Sequence, residues 1–219
     1  MADFERAWQA LLCQQNTLPP TDGVRDSWRR GRERYAAWMI RVQEPTIAER
    51  VGQIAEQFED CASPVPLSQL HVTTFVVGFP VTCVQHDDDV EQRVLREQAA
   101  RLSEARLGAF RLSVGGAGAF TTAPFLEVHD RDGGLARIRG ALGAVFQRSG
   151  RRELRFADFV PHVTIAHFTR EVPVSRVVGT LSAWRHLPSI EWTVTAIELV
   201  DFDARIAHAA FRTLELVHL

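Results

Sequence analysis

The chain has 219 residues, 46% of them hydrophobic and 24% charged, which is the make-up of an ordinary globular protein able to bury a sizeable core. A net charge of −2 excludes a protein that coats long nucleic acid, so any phosphate-bearing ligand is expected to be small or short and recognised locally. All 25 basic residues are Arg, which excludes Schiff-base, nucleotidyl-lysine and P-loop lysine chemistry, and Cys13, Cys61 and Cys83 are too few and too scattered for a disulfide framework or a cysteine zinc site.

The start of the chain carries no signal-peptide pattern and no apolar stretch reaches membrane-span length, so a cytoplasmic protein with reduced thiols and no membrane association is expected. Phe4, Trp8, Leu11 and Leu12 fall at helical spacing within residues 2–16, and Thr17 to Gly23 is a breaker cluster. The arginines that follow (Arg25, Arg29, Arg30, Arg32 and Arg34) read as a solvated helix face in preference to a phosphate-steering patch. Tyr35 to Val42 reads as a strand, with core the expected role of Tyr35. Pro45 then opens a helix from Thr46 to Asp60 with Ile47, Val51, Ile54 and Phe58 inward. An apolar run from Leu70 to about Gly78 is the next strand. Asp87, Asp88 and Asp89 precede a helical pattern through Val90, Val94, Leu95 and Leu102, where acidic residues suit the helix N-terminus better than a metal.

Phe110 to Val114 is a strand running into the glycine cluster Gly115 to Gly118. That cluster lacks dinucleotide or P-loop spacing and is read as a turn or bulge. The pattern then begins again: a strand at Pro124 to Val128, a helix from Leu135 to Gln147, a basic turn from Arg148 to Arg152, a second apolar strand after Pro161, and a helix from Pro173 to about Trp184. Ile190 to Val200 and Ala209 to Val217 close the chain as two strands. Strand–helix–strand–helix–strand thus occurs twice, an internal duplication of element order.

The two strands in the middle of those units share a phrase. His71-Val72-Thr73-Thr74 opens the first and His162-Val163-Thr164-Ile165 the second. Alternate strand residues share a face, so each His lies beside its Thr at roughly 6–7 Å. Two imidazoles, each with a hydroxyl beside it, suit acid–base chemistry on a phosphate. A duplicated α+β unit could bring them face to face across a cleft.

With its paired His-Val-Thr phrases and the run Phe159-Val160-Pro161-His162-Val163-Thr164-Ile165-Ala166, the sequence resembles the two-histidine (2H) phosphoesterase superfamily, which includes the 2′-5′ RNA ligase-like and RNA 2′,3′-cyclic phosphodiesterase proteins. Phe110 to Phe120 is similar to that family's inter-lobe strand. The resemblance covers residues 33–219 and implies a bilobal, duplicated α+β fold: two pseudo-symmetric sheets flanked by helices, with one motif from each lobe in a central cleft. Residues 1–32 are left as an N-terminal helical extension. Three departures bear on substrate class. Thr74 stands where an apolar residue is usual, His167 stands where RNA-directed members often carry Arg, and the segment after Val200 lacks the ending common in the RNA-ligase-like branch.

The resemblance implies a metal-independent phosphodiesterase, without cofactor, that opens 2′,3′-cyclic or cleaves 2′-5′ phosphodiesters of RNA ends or short oligonucleotides. His71 and His162 would be its acid–base pair, in either order, and Thr73 and Thr164 would hold the phosphate. A nucleotide or short RNA is the expected partner, with a monomer and no obligate protein partner. The alternatives are a phosphodiesterase of a small cyclic nucleotide (a cyclic oligonucleotide or ADP-ribose cyclic phosphate) and a non-catalytic nucleotide-binding module. Phe75 and Phe168 share their histidine's face by parity yet are expected in the core. His167 is expected to point away from the cleft.

Overall fold

Where β-branched and aromatic runs dominate the sequence, a computed structural model of the chain, describing residues 4–19, 21–151, 153 and 159–219, forms a curled, largely antiparallel sheet. Its strands in chain order are β1 (Arg34–Arg41), β2 (Ala62–Pro64), β3 (His71–Val81), β4 (Asp89–Glu91), β5 (Phe110–Ala119), β6 (Pro124–Asp130), β7 (His162–Thr164), β8 (Ala166–Phe168), β9 (Ile190–Val194), β10 (Ala196–Asp203) and β11 (Arg212–His218). The helices are α1 (Phe4–Leu12), α2 (Asp22–Arg29), α3 (Pro45–Glu56), α4 (Gln92–Ala105), α5 (Gly134–Arg148) and α6 (Val174–Ser182). The main sheet runs β11-β10-β1-β3-β7-β6-β5-β9, with β4 attached to β3, while β2 and β8 make a separate pair.

Its first four strands form one lobe and its last four the other. They join where β3 meets β7, through the single antiparallel pair Val72 and Val163. Both valines are fully buried in the core, each worth about 1.5–3 kcal/mol of apolar burial, so the seam between the lobes is also a centre of packing. α4 and α5 pack on each other, with the Phe146 ring of α5 edge-on to Phe75 at 5.0 Å. The buried Trp38 indole donates to Gln98 on α4 at 3.0 Å, so this large core side chain leaves no polar atom stranded. α6 packs against β5, and Arg170 and Arg176 pair with Asp60 beyond the end of α3.

The two helices of the N-terminal stretch attach to different lobes. α1 lies on β5 and sets Phe4 against His129 and Phe125, at ring separations of 5.1 and 6.3 Å. The connector donates from Thr17 to the Val172 carbonyl and from Leu18 to the Thr121 carbonyl. Trp28 of α2 then packs on Tyr35 and Phe79 of the other lobe. Tyr35 is half-buried in that cluster.

Several expectations need correction. Asp88 and Asp89 do not cap a helix: α4 starts at Gln92, and the two carboxylates bind the Arg32 guanidinium, which lies over the Phe79 ring at 3.8 Å. Asp89 also accepts from the backbone of Gln85 and His86. Burial alone would raise the Asp89 carboxyl; these hydrogen bonds and Arg32 outweigh it and hold it below the usual carboxylate value. Arg32 is therefore tied into the fold, Arg29 pairs locally with the exposed Asp26 of its own helix, and the Arg25 side chain and Arg152 lie outside the described residues. The run Ile190 to Val200 is two strands, since the chain leaves β9 on one lobe at Thr195 and enters β10 on the other. The glycine cluster, by contrast, is a bulge as read from the sequence, lying within β5 between Val114 and Ala117. A Cβ on Gly116 would come 1.9 Å from the Arg185 carbonyl oxygen, so glycine is needed there for close backbone approach.

Candidate active site

The pair Val72–Val163 sets the register of everything around it. Antiparallel pairing places His71 opposite Thr164 and Thr73 opposite His162, all four on the face away from the buried valines. His71 and His162 are then diagonal neighbours, about 7–8 Å apart at their backbones. The four residues named from the sequence come together on adjacent strands at the lobe seam, and each is half-buried.

The two histidines are held alike. His71 Nδ1 donates to the Gln69 carbonyl at 2.7 Å, and His162 Nδ1 donates to the Val160 carbonyl at 2.6 Å. A carbonyl only accepts, so the neutral ring in each case carries its proton on Nδ1 and its lone pair on Nε2. A turn of 3-10 helix (Leu67–Gln69) aims the first carbonyl, and Pro161 separates the second from its histidine. The likeness extends to the neighbouring strands. Val42 donates to the Leu70 carbonyl at 2.9 Å, and Val128 donates to the Pro161 carbonyl at 3.1 Å. Arg41 lies in register with His71, and Glu127 lies in register with His162. The pseudo-two-fold relation thus holds at the level of single hydrogen bonds.

Aromatic edges wall both imidazoles. Phe211 meets His71 at 5.1 Å and 86°, while Phe120 meets His162 at 4.9 Å and 79°, with Phe125 at 5.5 Å behind it. Desolvation pushes the His71 imidazole below its ordinary value; the Gln69 carbonyl works against this, and Arg41 adds to it. Arg41 itself donates to Glu198 at 3.3 Å and to the Ser68 carbonyl at 3.4 Å, and it lies 5.0 Å over Phe211. Glu127 is 3.5 Å from His129.

Thr74, the odd residue of the first motif, now has a physical role. From Met39 to Trp38, β1 advances one residue while β3 advances two, from Thr73 to Phe75, so Thr74 is the extra residue of a bulge. Its hydroxyl donates to the Trp38 carbonyl at 3.0 Å. The bulge also flips strand parity, which puts Phe75 in the core against Phe146 instead of on the histidine face. Phe168 is likewise core, edge-on to Phe58 at 5.9 Å, because the strand breaks at Ile165. His167 is exposed on β8, with its ring 5.3 Å from that of His208.

Strand-by-strand reading of the sequence missed Arg41, Glu127, Phe120 and Phe211. Arg41 and Glu127 did carry a signal: each is the one charged residue near the end of an otherwise apolar strand run. The two phenylalanines carried none, since a lone Phe beside a strand end is usually core. Among the described residues no group of three or more His, Cys, Asp or Glu is gathered to hold a metal, and no helix is long and apolar enough to cross a membrane.

A bilobal α+β sheet with a His-Val-Thr segment from each half at its seam is the architecture of the 2H phosphoesterases. The chain belongs to the 2′-5′ RNA ligase superfamily, which residues 43–205 match. Among solved structures it is similar to TT0787 of Thermus thermophilus (TM-score 0.62, 19% identity, covering 84% of this chain and 97% of that one). It is also similar to LigT of E. coli in its apo form (TM-score 0.60, 17% identity, covering 86% and 99%) and complexed with 3′-AMP (TM-score 0.59, 18% identity, the same coverage). Comparison with curated protein sequences gives no match.

Proposed function

We propose that this protein is a phosphodiesterase that opens 2′,3′-cyclic phosphates or cleaves 2′-5′ linkages at RNA ends or in short oligonucleotides, with His71 and His162 as its acid–base pair. The observation that carries this reading is the matched pair of Nδ1–carbonyl hydrogen bonds, which turn both Nε2 atoms into proton-transfer positions on one face of adjacent strands. One imidazole takes the proton from the attacking water as the new O–P bond forms. The other gives its proton to the ribose oxygen as the old P–O bond breaks, and exchange with solvent resets the pair. Thr73 and Thr164 donate hydrogen bonds to the non-bridging oxygens, where charge grows in the transition state. Every proton transfer is assigned to a side chain of this chain, so the proposal assigns no step to a metal. LigT has been crystallised with 3′-AMP and with ATP, which supports a nucleotide-sized ligand in this fold. We place the two-lobed unit at residues 33–219, acting as a cytoplasmic monomer.

A second reading, hydrolysis of a small cyclic nucleotide such as a cyclic oligonucleotide or ADP-ribose cyclic phosphate, is favoured by the net charge of −2 and by the exposed His167 where RNA-directed relatives often carry Arg. The deciding experiment is a panel of 2′,3′-cyclic, 2′-5′-linked and small cyclic substrates, assayed with and without EDTA. The expected result is turnover of at least one class that survives chelation. Each of His71→Ala and His162→Ala should lower it by about 10²–10⁴-fold. Activity lost in EDTA and restored by a divalent ion overturns the mechanism, and tight nucleotide binding without turnover of any class makes the chain a binding module.

A further inference from the structure

The two halves of the site match in their backbone hydrogen bonds and differ in charge. The pseudo-two-fold that superposes His71 on His162 also superposes Arg41 on Glu127, each in register on the neighbouring strand, with the following residue (Val42 or Val128) donating to the carbonyl before the histidine. One histidine therefore has a guanidinium beside it and the other a carboxylate. Resting on the phosphodiesterase reading above, we infer that Arg41 is a positioning residue that makes His71 the general base, leaving His162, beside Glu127, to act as the general acid.

A base must be unprotonated when substrate arrives, and a fixed cation nearby disfavours the imidazolium; an acid must arrive protonated, and a nearby carboxylate favours it. Arg41 cannot lose its charge near neutral pH. Its orientation is set by Glu198 on β10, the Ser68 carbonyl and the Phe211 ring. The groups facing His71 are Arg41 from β1, Thr164 from β7, the Gln69 carbonyl and the Phe211 edge, with Glu198 beyond Arg41 on that side. Glu127 faces His162 from β6 and is itself accompanied by His129; among the described residues Thr73, Phe120 and Phe125 also lie beside His162. The near-symmetric motif does not choose between base and acid. These two charges do.

The test is the pH dependence of kcat/KM for the whole chain on whichever substrate of the panel turns over. The acidic limb reports the base. In Arg41→Met, loss of the cation should move that limb to higher pH, so the ratio of activity at pH 5.5 to that at pH 7.5 falls at least about threefold below wild type. Arg41→Lys should restore the wild-type limb, and Glu198→Gln, which leaves the Arg41 charge uncompensated, should move it to lower pH. A raised KM with an unmoved acidic limb makes Arg41 only a phosphate ligand and overturns the assignment. So does a shift of the alkaline limb alone, which would make His71 the acid. Because His71→Ala and His162→Ala test the phosphodiesterase reading without reference to Arg41, the two ideas fail separately.

Discussion

Strand β3 carries His71 and Thr73, yet β7 pairs with it at one residue only, so the rest of that edge must find partners elsewhere. Phe79 to Val81 pair with β4, and for Thr74 and Val76 the partners come from a buried ion pair. Arg139 on α5 donates to the Thr74 carbonyl at 2.8 Å and to Glu153 at 2.7 and 3.1 Å, and Glu153 accepts from the Val76 amide at 3.2 Å. The side chains are 8% and 2% exposed, so the pair stands in for the missing strand inside the core. Glu153→Gln would strip Arg139 of its countercharge there. Breaking a buried pair from one side typically costs about 3–5 kcal/mol. At a urea slope of about 2–3 kcal/mol/M, the unfolding midpoint should fall by roughly 1 M or more. Arg139→Met together with Glu153→Gln removes the stranded charge and should recover part of that loss. It should not recover all of it, because the Thr74 carbonyl loses the Arg139 donor, at about 1–3 kcal/mol, while the glutamine that replaces Glu153 can still accept from the Val76 amide. Urea unfolding followed by tryptophan fluorescence measures all three proteins. A Glu153→Gln loss under about 1 kcal/mol, or a double variant no more stable than Glu153→Gln alone, would refute the role given to the pair.

Packing and charge elsewhere give further expectations. A Cβ on Gly118 would lie 2.8 Å from the Phe125 ring, which packs on both Phe120 and His162; Gly118→Ala should displace that ring against His162 and lower kcat at least tenfold while leaving a folded protein, and a kcat within twofold of wild type would show that Phe125 does not set the His162 position. Asp201 is buried and would be raised by that burial, but hydrogen bonds from Arg34 and Arg212 outweigh it and hold the carboxyl below its ordinary value. It therefore contributes stability that is present above about pH 3.9, the unfolded value, and is lost as pH falls through the lower folded one. His71 acts in a different window: its folded value lies below the unfolded one of about 6.5, so the unfolded chain takes up its proton first and stability declines as pH drops from about 6.5 toward the folded value. Asp201→Asn should flatten the dependence of unfolding free energy on pH in the first window and His71→Gln in the second; slopes unchanged by either substitution would refute the corresponding assignment.

What the sequence showed well was what depends on neighbours along the chain. The helix opened by Pro45, with Ile47, Val51 and Ile54 inward, the period-2 face of His71 and Thr73, and the repeated order of elements all rest on local periodicity. Bulges and breaks could not be read that way, because each is decided by a partner strand. Thr74 looks like an ordinary strand residue until β1 is placed beside it, and the parity rule then points Phe75 to the wrong face. Thr195 interrupts a run that is apolar on both sides, yet the chain changes lobes there. Asp87 to Asp89 read as a helix-dipole device until Arg32, more than fifty residues earlier, is seen to take two of them.

The site shows the same division. Motif residues were legible because a His and a Thr two apart on a strand define a face by themselves. The proposed tuning was not, because Arg41 and Glu127 reach the histidines only through strand register, 30 and 35 positions away along the chain. A duplicated unit starts with two identical half-sites, and in-line displacement needs two different ones. Substituting the motif itself would cost a proton-transfer group or a phosphate ligand. The position beside each histidine on the next strand carries neither duty, so it can take a guanidinium in one lobe and a carboxylate in the other while the matched backbone hydrogen bonds stay intact. On the proposed reading, the asymmetry that the reaction requires is held one strand away from the residues that carry it out.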